Sequence, residues 1–216
     1  MKPTELNAEP VAELVRTMRY LDAAGLNTGS AGNASCRAGP ENYWITPTGV
    51  LPGALTIESC VAMSLRNPEP EPTSRPSSEW RMHQGIYRAR PEIRAIVHTH
   101  SSYATALACT GKSLPAFHYM VAIAGGDSIP CAPYATFGTQ ELSDHAVSAL
   151  NGRRACLLAN HGALALGATP TAAVRLAIEV EELAKQYCIA KQQGDPVILD
   201  EQQMREVLKK FETYGQ

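Results

Sequence analysis

The chain has 216 residues, and at roughly 100 to 200 residues per domain one core is expected over residues 1–216. Its 19 Lys and Arg balance 21 Asp and Glu, with no like-charge run longer than neighbouring pairs such as Arg153–Arg154 and Lys209–Lys210, so composition excludes a basic footprint for nucleic acid or an anionic membrane. At 44% hydrophobic and 19% charged, the chain can bury a core, which excludes a disordered or fibrous polymer.

The N-terminal residues lack the apolar region of a secretory signal, and no stretch approaches the ~20 apolar residues of a membrane span, so a cytoplasmic location is expected. Six cysteines stand more than twenty residues apart with no C-x-x-C pair. They are read as small buried hydrophobes rather than disulfides or a zinc ribbon.

In chain order, Val11, Leu14, Val15, Met18 and Leu21 recur at helical spacing, with Pro10 suited to a first turn and Gly25 to a stop. A small, polar stretch over 27–34 precedes short strands around Ala34–Arg37 and Tyr43–Thr46, and the prolines and glycines of 47–53 turn the chain. The segment 66–76 holds four prolines and resembles a linker, followed by a helix from about Ser77 to Arg90. The β-branched run 93–100 predicts a buried strand, 101–111 a helix, 129–136 a strand and 139–150 a helix. Two strands broken at His161-Gly162 are expected over 155–166. A long helix then opens at Thr169-Pro170, with Leu176, Val180, Leu183 and Tyr187 as its buried stripe, and a short helix ends the chain. This order predicts an α/β chain with a three-layer α/β/α architecture on a mixed, mainly antiparallel sheet.

His98 and His100 occupy i and i+2 of the predicted strand, so both imidazoles leave one face. With His161 beside a glycine they make a possible three-nitrogen set of the kind that holds a catalytic zinc while leaving a position open. Spacing alone favours an ordinary pair of half-buried strand histidines over a metal site. His83 and His145 read as solvated or packed helix residues. Ser77-Ser78-Glu79 directly follows a proline at a predicted helix start, where free N–H groups and hydroxyls suit an anion, although an acidic residue in a first turn also simply complements the helix dipole. The loop at 29–33 is neither a Walker A nor a dinucleotide fingerprint. None of the six lysines has a setting that marks a Schiff-base nucleophile, and no G-x-S-x-G elbow is present.

Taken in order, Gly-Ser-Ala-Gly-Asn-Ala-Ser (29–35), Ile-Thr-Pro-Thr-Gly (45–49), Pro-Ser-Ser-Glu-Trp-Arg (76–81), Val-His-Thr-His (97–100) and Asn-His-Gly (160–162) resemble the class II aldolase/adducin family. The similarity extends through Phe-His-Tyr-Met (117–120), the block 124–139 and Lys-Phe-Glu-Thr-Tyr-Gly (210–215). It implies one Zn2+ held by His98, His100 and His161, with Glu79 as a possible fourth ligand before substrate arrives. It also implies that Asn33, Thr48, Gly49, Ser77 and Ser78 hold a substrate phosphate, with Ser30 and Gly32 in the same loop. Glu79 and Tyr119 would be catalytic, and Phe137 and Tyr214 would line the aldehyde end. The implied assembly is a homotetramer whose sites lie between subunits.

The implied reaction is reversible cleavage of a phosphorylated ketose, L-fuculose 1-phosphate, to dihydroxyacetone phosphate and L-lactaldehyde. The alternative substrates are 5-deoxyribulose and 5-methylthioribulose 1-phosphate. A non-catalytic adducin-like interaction module is the reading from a different class. Epimerases of the family usually carry Ser-Ser-Asp where this chain has Ser77-Ser78-Glu79, which favours an aldolase. Ser30 stands where threonine is familiar, and Asn160 where a histidine often precedes the ligand.

Overall fold

The computed structural model describes residues 5–67 and 69–211. Its strands are β1 (Asn33–Arg37), β2 (Asn42–Ile45), β3 (Val61–Ser64), β4 (Ala95–Thr99), β5 (Cys131–Ala132), β6 (Ala155–Leu158) and β7 (Gly162–Gly167). They form one seven-stranded sheet in the order β3-β2-β1-β4-β7-β6-β5. Every pairing is antiparallel except β5 with β6. The helices are α1 (Glu5–Ala23), α2 (Trp80–Ala89), α3 (Ser102–Ala108), α4 (Gln140–Ala149), α5 (Pro170–Gln193) and α6 (Glu201–Phe211).

Strand alternation creates the two outer layers. On β4, Ala95 and Val97 face a core with Leu14 and Leu21 of α1, Leu107 of α3 and Val180 and Leu183 of α5. Ile96 faces the opposite core with Met82 and Ile86 of α2 and Leu142 and Ala146 of α4. His98 occupies the next position on that second face, buried at 0% exposure. The expected three-layer α/β/α arrangement is therefore the observed one.

Local chemistry explains several boundaries. Thr169 and Thr139 cap α5 and α4, their hydroxyls accepting from the Ala172 and Leu142 N–H groups. Gly85 sits where α2 crosses α4, and a Cβ there would fall 2.3 Å from Ser143 Oγ. That contact accounts for a glycine inside a helix.

Other boundaries differ from expectation. α1 begins before Pro10, which lies inside the helix, where its fixed φ is tolerated at the loss of one hydrogen bond. The strand expected over 129–136 contracts to Cys131–Ala132, because Pro130 and Pro133 bracket it and offer no N–H to a ladder. α2 starts at Trp80 rather than Ser77. The cause is that the backbone just before it is committed elsewhere: Ser77 N–H donates to Thr46 O at 2.9 Å, Thr48 N–H donates to Arg75 O at 3.2 Å, and Pro47 bridges Pro76. The proline-rich segment thus ends as a brace between two loops. Strand β3 and a short 3-10 helix, Tyr119–Ala124, carry no clear periodicity in the sequence.

All six cysteines are free, but only Cys36, Cys60 and Cys156 are buried, and Cys109 is exposed, so the reading as uniformly buried hydrophobes is corrected. No helix among the described residues is long and apolar enough to cross a membrane.

Candidate active site

Three histidines and one glutamate converge at the middle of the sheet. His98 comes from β4 and His100 from the residue just beyond it, their Nε2 atoms 2.9 Å apart. His161 lies in the tight turn between β6 and β7, closed by the His161 N–H donating to Leu158 O at 3.0 Å. Asn160 in that turn has φ 55°, a left-handed conformation in which Asn and His are both enriched. Gly162 follows because a Cβ there would stand 2.2 Å from Thr99 O. Glu79 arrives from the turn before α2, its Oε2 3.2 Å from His98 Nε2 and its Oε1 3.2 Å from His161 Nε2.

The ligand-capable atoms of Glu79, His98, His100 and His161 all lie within 4.8 Å of one another. His98 Nδ1–H donates to Ala163 O at 3.0 Å, which leaves Nε2 facing the cluster. Glu79 Oε1 is buried without a hydrogen-bond partner. Lone pairs gathered this closely, beside a buried carboxylate, are unfavourable unless a cation stands among them. The donor set of three imidazole nitrogens and an optional carboxylate fits a divalent metal ion.

The electrostatics of His100 and His161 agree with that reading. Burial, reinforced by His98, pushes the His100 and His161 imidazoles down to about 4, so both are neutral at physiological pH as ligands must be. Burial opposes charge on Glu79 and on His98, yet each outweighs it for the other: the carboxyl is held well below its usual range and the His98 ring is raised.

Beside the cluster opens a cavity of about 310 Å³. Ser30, Gly32, Asn33, Thr48, Gly49, Ser77 and Ser78 all line it, as do Glu79, His100, His161 and Phe137. Among the described residues no lysine or arginine does, so beyond the cluster its polar wall is made of hydroxyls, the Asn33 and Asn160 amides and backbone. Ser77 Oγ accepts the Glu79 N–H at 3.3 Å, so one donor of the expected helix-start seat is used internally. Asn33 Nδ2 donates to Glu79 Oε2 at 2.8 Å. Tyr119 stands half exposed and does not line this cavity. Tyr214 lies outside the described residues.

Two residues that no sequence motif singles out also belong to the site: Tyr134, which lines the cavity, and Asn27, whose Oδ1 accepts the His100 backbone N–H at 2.8 Å. Behind Glu79, His83 is fully buried and hydrogen-bonded to Asn33 and Ser35, the packed one of its two expected settings, although its link to Glu79 was not foreseen. The spacing Glu79, His83, Tyr87 against Asn33, Ser35 was the available signal.

Comparison with known proteins accords with this geometry. The profile of the Class II Aldolase and Adducin N-terminal domain matches residues 12–188. The chain belongs to the class II aldolase and adducin family. It is 50% identical over 202 residues to the 5-methylthioribulose-1-phosphate/5-deoxyribulose-1-phosphate aldolase of Rhodospirillum rubrum, covering 94% of this chain and 90% of that one. It is 45% identical over 204 residues to L-fuculose phosphate aldolase of Escherichia coli, covering 94% of each. A solved L-fuculose 1-phosphate aldolase superposes with TM-score 0.89 at 40% identity, over 95% of this chain and 97% of that one. This class II aldolase therefore carries in one cleft a candidate metal cluster and a wall of neutral donors.

Proposed function

We propose that this class II aldolase acts as a single domain, residues 1–216, and reversibly cleaves the C3–C4 bond of a ketose 1-phosphate, releasing dihydroxyacetone phosphate and a short aldehyde. L-Fuculose 1-phosphate, giving L-lactaldehyde, is one substrate. The 5-deoxyribulose and 5-methylthioribulose 1-phosphates stand beside it, favoured by the identity to the Rhodospirillum rubrum aldolase. The observation that carries the reading is the adjacency of the Glu79–His98–His100–His161 cluster to a cleft walled by neutral donors.

His98, His100 and His161 would hold the metal, with Glu79 able to complete the set before substrate binds. Bound there, a divalent ion, zinc in this reading, supplies Lewis acidity for the negative charge that develops as the C3–C4 bond breaks. Ser77, Ser78, Thr48, Gly49 and Asn33, with Ser30 and Gly32, would take the phosphate through hydroxyl, amide and backbone donors. Glu79, ionised at neutral pH, would accept a proton from the dihydroxyacetone phosphate carbon in condensation and return it in cleavage. Tyr119, exposed on its own chain, would reach the site of a neighbouring subunit in a homotetramer and serve the C4 oxygen. Phe137 and Tyr214 would flank the aldehyde end. The location in this reading is the cytoplasm.

The test is turnover of the three ketose 1-phosphates, read as dihydroxyacetone phosphate released, with and without chelation. Chelator-sensitive cleavage supports the reading, and the fastest of the three names the substrate. Silence on all three with no metal retained would instead favour the non-catalytic adducin-like module.

A further inference from the structure

We propose that His83 is a positioning residue that, through a one-directional chain of hydrogen bonds, fixes the Asn33 amide so that its N–H is always presented to Glu79. This rests on the proposed role of Glu79 as the proton-transfer group.

The chain runs Tyr87, Ser35, His83, Asn33, Glu79. The three helix-side members recur at i, i+4 and i+8 on one stripe, and Asn33 and Ser35 are i and i+2 on the facing side of β1, so two regular periodicities mesh. All five are buried. The links measure 2.9 Å from Tyr87 Oη to Ser35 Oγ, 2.7 Å from Ser35 Oγ to His83 Nδ1, 2.5 Å from His83 Nε2 to Asn33 Oδ1, and 2.8 Å from Asn33 Nδ2 to Glu79 Oε2.

Donor and acceptor rules leave one consistent assignment. An ionised carboxylate only accepts, so Asn33 must turn its NH2 toward Glu79 and its carbonyl toward His83. A carbonyl only accepts, so His83 carries its proton on Nε2. The bare Nδ1 then accepts from the Ser35 hydroxyl, whose oxygen accepts from Tyr87. Burial keeps the tyrosine protonated, its phenol raised well above the usual range, and keeps the imidazole neutral, pushed down to about 3. The opposite tautomer would invite Asn33 to flip and set its carbonyl oxygen against the carboxylate. Outer partners of this kind are worth roughly 10- to 100-fold in activity or metal affinity.

The first test needs no variant. In the metal-loaded wild-type enzyme, 15N spectra of labelled histidine should show His83 protonated at Nε2 and bare at Nδ1; protonation at Nδ1 overturns the proposal. Kinetically, His83→Phe keeps the ring volume and removes the donor. It should lower kcat about 10- to 100-fold with metal content kept and KM changed far less, and His83→Gln, which restores a donor near Nε2, should recover part of the loss. Wild-type kcat in folded His83→Phe, or a change in KM alone, overturns it. If His83→Phe does not fold, Ser35→Ala leaves Nδ1 without its donor and should lower kcat several-fold; an unchanged kcat there also overturns the proposal. The Glu79 reading is judged separately, by whether the wild type exchanges the dihydroxyacetone phosphate proton with solvent. Absence of that exchange removes Glu79's role while leaving the tautomer result standing.

Discussion

Asn27 holds the backbone of His100: its Oδ1 accepts the His100 N–H at 2.8 Å, while its amide packs where a Cβ on Gly32 would fall, 2.3 Å from Nδ2. One glycine in the 29–33 loop thereby borders a candidate metal ligand's anchor. Gly32 also has φ +73°, which a side chain resists. Gly32→Ala should therefore loosen His100 as well as strain the loop. We expect about tenfold weaker metal retention, in line with loss of a ligand's supporting bond, measured by metal content after dialysis against a graded chelator series. Full retention in the variant would show that Asn27 does not steady His100.

Glu79 is the second pivot. Its two oxygens each lie 3.2 Å from a different histidine of the cluster, and Asn33 donates to one of them. Glu79→Gln keeps the shape but cannot take a proton. We expect kcat to fall by about 10² to 10⁴, with metal still bound through the three histidines and exchange of the dihydroxyacetone phosphate proton with deuterated solvent abolished. Proton exchange at the wild-type rate in that variant removes Glu79 from the reaction.

Much of this site was legible in the sequence because it is built from regular periods. His-x-His on a β-branched run placed two imidazoles on one face, and Thr169-Pro170 announced α5 through cap chemistry visible in two adjacent residues. What was not legible depends on contacts between distant segments. The start of α2 is set by Thr46 and Arg75 claiming the backbone on either side of Pro47 and Pro76, which no local propensity encodes. β3 is a short edge strand whose only ladder partner among the described residues is β2. His83 looked ordinary because its significance comes from Asn33 and Ser35, some fifty residues away. Residue order gave the resemblance, and tertiary contacts explain how those residues come together in space.

The buried His83 also predicts an acid limb in stability. Its ring is held neutral in the folded protein down to about 3, whereas in the unfolded chain it protonates near its ordinary 6.5. Below 6.5 the unfolded state thus binds a proton that the folded state refuses, so stability falls as pH falls through that window. His83→Phe removes this one site. The variant should be the less stable at pH 7, and the wild-type advantage should shrink by about 1.4 kcal/mol per pH unit between pH 6 and 4. Urea midpoints of both proteins across that range provide the measurement, and parallel curves would contradict a neutral buried ring.

Ser78 tests the neutral anion wall. It is exposed to the cleft, immediately before Glu79, in a site where no described lysine or arginine contributes charge. A hydroxyl donating to a charged phosphate is worth about 1.5 to 3 kcal/mol, so its removal should weaken binding by roughly 10- to 100-fold. Ser78→Ala should raise KM for the ketose phosphate by that factor with a smaller effect on kcat, because the bond is made in ground and transition states alike. The inhibition constant of inorganic phosphate should rise by a comparable factor, since the same donor serves both anions. A raised KM with unchanged phosphate inhibition would place Ser78 against another part of the substrate, and the phosphate would have to be assigned to Ser77 and the loops at 30–33 and 48–49.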